Sequence, residues 1–227
     1  KASDKGNYFW MVATIDKKDV LLGLIGFHLI RATALHPEFV WATFEHKDNV
    51  PDCVAPQTAP SSGWSFTSAQ CASVLAQTDT RSLINCRFNT AAPSANLTGT
   101  PSEICRLYRD ASEPTDPKGE LNISVIDQLN AQLVGPNGFL TKITDPSNPM
   151  AVWKNYINVG ALWLSDTTQP SQNTSDHPYS NQRGSMRLAN TVMETTFQAG
   201  FSASFAPQWG KDNAFSSNCF GCHGFTT

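Results

Sequence analysis

The sequence predicts an α+β fold with an N-terminal antiparallel β region, a loop region stapled by disulfides, and a helical C-terminal segment. Three observations carry that prediction. Short apolar runs with strand patterning fill the chain before residue 50. Four cysteines lie in a Ser/Pro-rich stretch with little periodicity. Apolar positions at helical spacing follow residue 119. With 227 residues the chain can bury a proper core. It is read as a single domain, β-rich over 1–118 and helix-rich over 119–227, and its abrupt start at Lys1 is read as the product of a longer precursor.

Residues 8–15 are short, apolar and strand-like, and 16–19 form a charged turn. The run 20–32 is apolar on both faces, as a strand covered on both sides would be. One of its faces carries Leu22, Leu24, Gly26, His28 and Ile30, and Gly26 leaves a gap beside His28 where a flat ring could lie against the backbone. After a turn at His36 and Pro37, a second strand over 38–47 sets Val40, Ala42, Phe44 and His46 on one face. Phe39, Trp41, Thr43 and Glu45 take the other. Pairing of the two strands would put His28 and His46 on one sheet, with room for both on one face.

Residues 48–100 form a long loop whose shape the cysteines maintain. Short strands are expected at 64–67 and 104–109. From Leu121 the positions Ile123, Val125, Ile126, Leu129 and Leu133 fit a helix that Gly135 and Pro136 end. Residues 150–157 have helical spacing, 161–164 resemble a strand, and 165–185 read as an exposed polar excursion. A helix over 186–199, with Leu188, Val192, Met193 and Phe197 as its apolar stripe, leads to an aromatic-rich connection.

Net charge is −3 and the pI is near 5.9, with only Lys17 and Lys18 adjoining among the basic residues. Nucleic acid and anionic membrane are therefore not expected partners. The longest apolar run is too short to span a bilayer, so no transmembrane segment is expected. No G-x-G-x-x-G, G-x-x-x-x-G-K, G-x-S-x-G or H-E-x-x-H occurs.

The chemistry-bearing stretch is the tail, Cys219-Phe-Gly-Cys222-His223. C-x-x-C-H is the attachment signature of a c-type haem. Each thiol would add across one porphyrin vinyl group, and His223 would supply the proximal iron nitrogen. A thioredoxin-like pair belongs near a strand-helix unit early in a small domain, and a zinc site needs a second pair of ligands; the sequence offers neither context. The C-terminal helical segment is accordingly read as haem-binding, with one covalent haem c as cofactor.

Haem attachment and six cysteines both point outside the reducing cytoplasm, to a periplasmic or extracellular protein. Cys53, Cys71, Cys86 and Cys105 then make two disulfides with three possible pairings. The nested one, Cys71 with Cys86 inside Cys53 with Cys105, is preferred because the short inner loop closes easily.

Only four residues follow His223, so a sixth iron ligand must come from upstream or from another chain. His46 is the first candidate and His28 the alternative, each weighed against a core histidine satisfied by hydrogen bonds. Met193 is third, weighed against plain packing. His36 and His177 read as solvated turn and loop residues, and Arg183 and Arg187 as surface arginines that could pair with propionates.

The segments W-A-T-F-E-H-K-D-N-V-P (41–51), N-Y-I-N-V-G-A-L-W (155–163) and L-A-N-T-V-M-E-T (188–195), with the terminal C-x-x-C-H, resemble bacterial secreted proteins of the cytochrome c family. The resemblance implies a periplasmic or extracellular haem protein and brings no reaction, substrate or distal ligand. Electron transfer with other redox proteins or haems is the leading expectation. A haem peroxidase or oxidase with an open distal site, in which His46 or Glu45 handles protons, is the second. A secreted filament or assembly subunit, a homo-oligomer, is the third.

Overall fold

The computed structural model describes residues 7–52, 58–69, 105–106, 119–168, 182–184 and 190–194. Within them the arrangement is α+β: two antiparallel sheets, with one α-helix later in the chain.

The first sheet is a two-stranded hairpin of β1 (Trp10–Ile15) and β2 (Lys18–Gly23). Asp16 and Lys17 join the strands, both in the left-handed region, with φ of 49° and 64°. A two-residue hairpin turn requires that geometry because it matches the right-handed twist of the strands. The second sheet has the order β3 (Gly26–Arg31), β4 (Val40–His46), β5 (Tyr156–Leu164) and β6 (Gln182–Gly184), antiparallel throughout. A helix, α1 (Gly119–Val134), packs on β5, and a 3-10 helix (Ala151–Asn155) runs directly into that strand.

Several expectations are corrected here. The apolar run 20–32 is two strands in different sheets, because Leu24 and Ile25 turn the chain out of the hairpin. There the carbonyl of Leu24 accepts from the Tyr156 hydroxyl, and that of Ile25 accepts from the His46 N–H and the Asn49 side chain. β2, expected to be buried, is exposed along its whole length. β4 starts at Val40, since Phe39 has φ of 83° and cannot extend the strand. The helical spacing at 150–157 is a 3-10 turn only as far as Asn155, and β5 takes over at Tyr156.

Residues 64–67 bend without joining a strand: Ser65 and Phe66 donate their N–H groups to the carbonyls of Asp48 and Asn49. Of the strand expected at 104–109, Arg106 makes a single parallel bridge with Asp52. The end of the polar excursion supplies β6. In the expected helix 186–199, the described part is one turn that opens at Asn190, with the Glu194 N–H on the Asn190 carbonyl at 2.8 Å.

The four-stranded sheet separates two environments. Register pairs Gly26 with Glu45, Phe27 with Phe44 and His28 with Thr43. Gly26, His28, Thr43 and Glu45 thus share one face, and Phe27, Phe44 and His46 the other. His28 and His46 lie on opposite faces, not together. On the second face Phe27 stacks on Phe44 and meets Trp153 edge-on, and Tyr156 packs on both Trp153 and His46.

Candidate functional site

On the first face β3, β4, Arg106 and residues 190–194 meet. Glu45, next to the last residue of β4, is fully buried. One of its oxygens takes the guanidinium Nε–H of Arg106, and the other accepts the Thr191 N–H at 2.8 Å. The same guanidinium donates to the carbonyls of His46 and Lys47 at 3.1 and 2.8 Å, and to Asp52 at 3.3 Å. A buried carboxylate is tolerable only when paired and hydrogen-bonded in this way. Glu45 is therefore committed to structure, which removes it from the proton-handling role expected under the enzyme reading.

Asn190 completes the dock. Its buried amide donates to Thr43 Oγ1 and to the Phe44 carbonyl at 3.2 and 2.9 Å, and its Oδ1 accepts the Met193 N–H. The last bond is that of an N-cap, which explains why the turn opens there. The gap that Gly26 leaves in the sheet is filled by this amide: a Cβ at Gly26 would lie 2.9 Å from Asn190 Oδ1. The space is thus taken by a side chain, not kept for a flat ring.

Glu194 closes the turn and reaches His28. Its Oε2 accepts the Asn190 N–H at 2.7 Å, and its Oε1 lies 3.2 Å from His28 Nε2. The hydrogen bond to Glu194 raises the His28 pKa above its ordinary value, with burial opposing and the carboxylate charge assisting. His28 Nδ1 is buried and has no hydrogen-bond partner among the described residues. An imidazole held at one nitrogen by a carboxylate and open at the other is the arrangement that metal-ligating histidines adopt.

His46 differs. Its ring is fully buried, stacked on Tyr8 at 3.8 Å and met edge-on by Tyr156. Nε2 lies 2.9 Å from the Asn7 carbonyl, and Nδ1 accepts the Asp48 N–H at 3.1 Å, which assigns the proton to Nε2. Burial lowers its pKa, partly offset by the Asn7 carbonyl. Both nitrogens are in use, so as placed His46 serves the core. Met193 is 44% exposed, off the apolar stripe expected of it.

Cys219, Cys222 and His223 lie outside the described residues, as do Cys53, Cys71, Cys86, His177 and Arg187. Cys105 is fully buried next to Arg106, and His36 pairs with Glu38 at 2.9 Å. Arg183 lies in β6, opposite Trp163. Sequence reasoning missed Arg106, Asn190 and Glu194 as members of the site. The spacing of Asn190 and Glu194, four residues apart and off the stripe of Leu188, Val192, Met193 and Phe197, was the available signal for these two.

Comparison with protein-family models, curated proteins and solved structures finds no match to this chain. Among the described residues, no helix is long and apolar enough to cross a membrane.

Proposed function

We propose that this chain is a secreted c-type cytochrome with one covalent haem, which exchanges electrons with other periplasmic or extracellular redox centres. The observation that carries the reading is Cys219-x-x-Cys222-His223. In it, Cys219 and Cys222 hold the porphyrin through thioethers and His223 supplies the proximal nitrogen. The haem contributes one-electron exchange between ferric and ferrous iron. Cys53, Cys71, Cys86 and Cys105 form two disulfides, as an oxidising compartment allows.

Hydrogen bonding supports His28 over His46 as the second axial ligand. His28 has an unused buried nitrogen and a carboxylate that orients the ring, whereas ligation by His46 would break a bond to Asn7 or Asp48. Glu194 is then a positioning residue.

Intact-mass measurement of protein produced with a haem-attachment system tests the cofactor. An added mass of roughly six hundred daltons, lost in the double variant Cys219→Ala, Cys222→Ala, is expected; a bare chain refutes the reading. Optical spectra test the ligand. The ferric protein should be low-spin, and His28→Ala should turn it high-spin while leaving the haem attached. A spectrum unmoved by His28→Ala removes His28 from the assignment.

A further inference from the structure

The four-stranded sheet has two unlike edges. Its order β3-β4-β5-β6 puts β3 on one of them and β6 on the other. The Ile25 carbonyl accepts the His46 N–H, so alternation along the β3-β4 ladder bonds Phe27 to Phe44 and Leu29 to Ala42 in the same way. The peptide groups of His28 and Ile30 therefore point away from β4, and that of Ala32 continues the row just past the strand. None of these three peptides has a hydrogen-bond partner among the described residues. The edge also faces solvent: Leu29 and Ile30 are 52% and 46% exposed, and Arg31 and Ala32 are exposed as well.

The side chains give a reason for this edge to be covered. Register sets Ile30 opposite Trp41 and Trp41 opposite Leu162, so the three share one face in a row across the sheet. Leu162 and Leu164 are buried together, and Trp41 packs on that pair. The apolar row thus starts in the core and is cut at Ile30, where the sheet ends. Natural edges are blunted by shortness, proline, bulges or lysine. Residues 28–32, H-L-I-R-A, have none of these and carry one full charge, on Arg31. The opposite edge is the contrary case, because β6 is only three residues long.

We propose that two copies of this chain associate through β3, antiparallel about a twofold axis at Ile30, so that their sheets join into one. In this register Ile30 bonds to Ile30 of the second copy and His28 to its Ala32, while Leu29 faces its Arg31. About six main-chain bonds form, and no like charges stand directly opposite each other. A second copy supplies what the edge lacks, because the row Leu162-Trp41-Ile30 meets its own symmetry mate and the apolar strip becomes continuous across both sheets. The short β6 edges end up outside and do not repeat the contact, so the assembly closes at two copies. The contact belongs to the small class of interfaces, and a Kd of roughly micromolar order is expected.

Sedimentation velocity on the full 227-residue chain over a concentration series tests this. A monomer-dimer equilibrium is expected. Ile30→Lys and Ile30→Glu keep every main-chain bond and set two like charges at the axis, so each alone should raise Kd by about tenfold or more. Mixing the two variants sets opposite charges there and should restore a heterodimer to within about threefold of the original Kd. Val12→Lys, at a hairpin side chain that is 54% exposed, should leave Kd within about twofold. Should an Ile30 variant fail to fold, Ala32→Pro decides. It lies outside the ladder with β4, removes an outward N–H from each copy, and should also raise Kd by about tenfold. A chain monomeric up to ~100 µM, a dimer indifferent to the Ile30 or Ala32 variants, one that the mixture does not restore, or one weakened equally by Val12→Lys overturns the proposal.

Discussion

The hairpin and the four-stranded sheet reverse the usual distribution of polarity. The hairpin shows apolar side chains to solvent, while among the described residues seven of the nine largest fully buried side chains are polar: His46, Glu45, Asn49, Asn158, Asn190, Thr43 and Thr191. The difference lies in what each region connects. The sheet's polar groups bind segments distant in sequence, and each bond has a defined direction, so burial selects one arrangement of Glu45, Arg106 and residues 190–194. The hairpin's apolar groups have no such directionality, and their position depends on the anchors at its base.

Arg106→Ala tests the directional half with the largest effect. It strands the Glu45 carboxylate in the core and frees two carbonyls, so a loss of about 3–5 kcal/mol is expected in denaturant unfolding. Gly26→Ala comes next. Its methyl group competes with an amide held by Thr43 and Phe44, and overpacking of this kind removes about 1–3 kcal/mol. Hydrogen exchange should show residues 190–194 loosened and the hairpin unaffected.

Tyr156→Phe acts on the other region. The hydroxyl donates to the Leu24 carbonyl at 2.7 Å and accepts the Phe9 N–H at 3.0 Å, pinning both strands of the hairpin's base. Burial pushes this phenol up to about 12, so it stays protonated at any working pH. Its removal should cost about 1–2 kcal/mol and speed exchange in β1 and β2 before the sheet. The smallest effect is that of pH on His46. Its pKa is lowered on folding, so the unfolded chain binds more protons, and stability falls as pH drops below about 6.5 towards the folded value. His46→Gln should flatten that part of the stability-pH curve.

Much of the scaffold was legible. The alternation of residues 40–46 assigned Thr43 and Glu45 to the face opposite Phe44 and His46, and Gly135 with Pro136 marked the end of α1. The break at Leu24 and Ile25 was not. An unbroken apolar run has no local signal for a change of sheet, and the groups that cause it, Tyr156 and Asn49, are distant or polar residues with no pattern of their own. The Glu45-Arg106 pair was hidden for a related reason. Sixty-one residues separate the two, and a buried ion pair between loop and strand leaves no periodicity to read. Gly26 was correctly singled out as a gap in its face, but the sequence could not say that an asparagine would fill it.

One small contact governs more than its size suggests. Asn158 faces Phe44 of β4 in a pair that turns its peptide away from β4, on a part of β5 that β6, paired only with Leu162–Leu164, does not reach. The carboxamide of Asn130 in α1 takes both groups, donating to the Asn158 carbonyl and accepting its N–H, each at 2.8 Å. A single side chain thus imitates a length of neighbouring strand. Sliding the helix by one residue would uncouple both bonds at once, so this stretch of the β5 edge serves as the notch into which the helix is keyed.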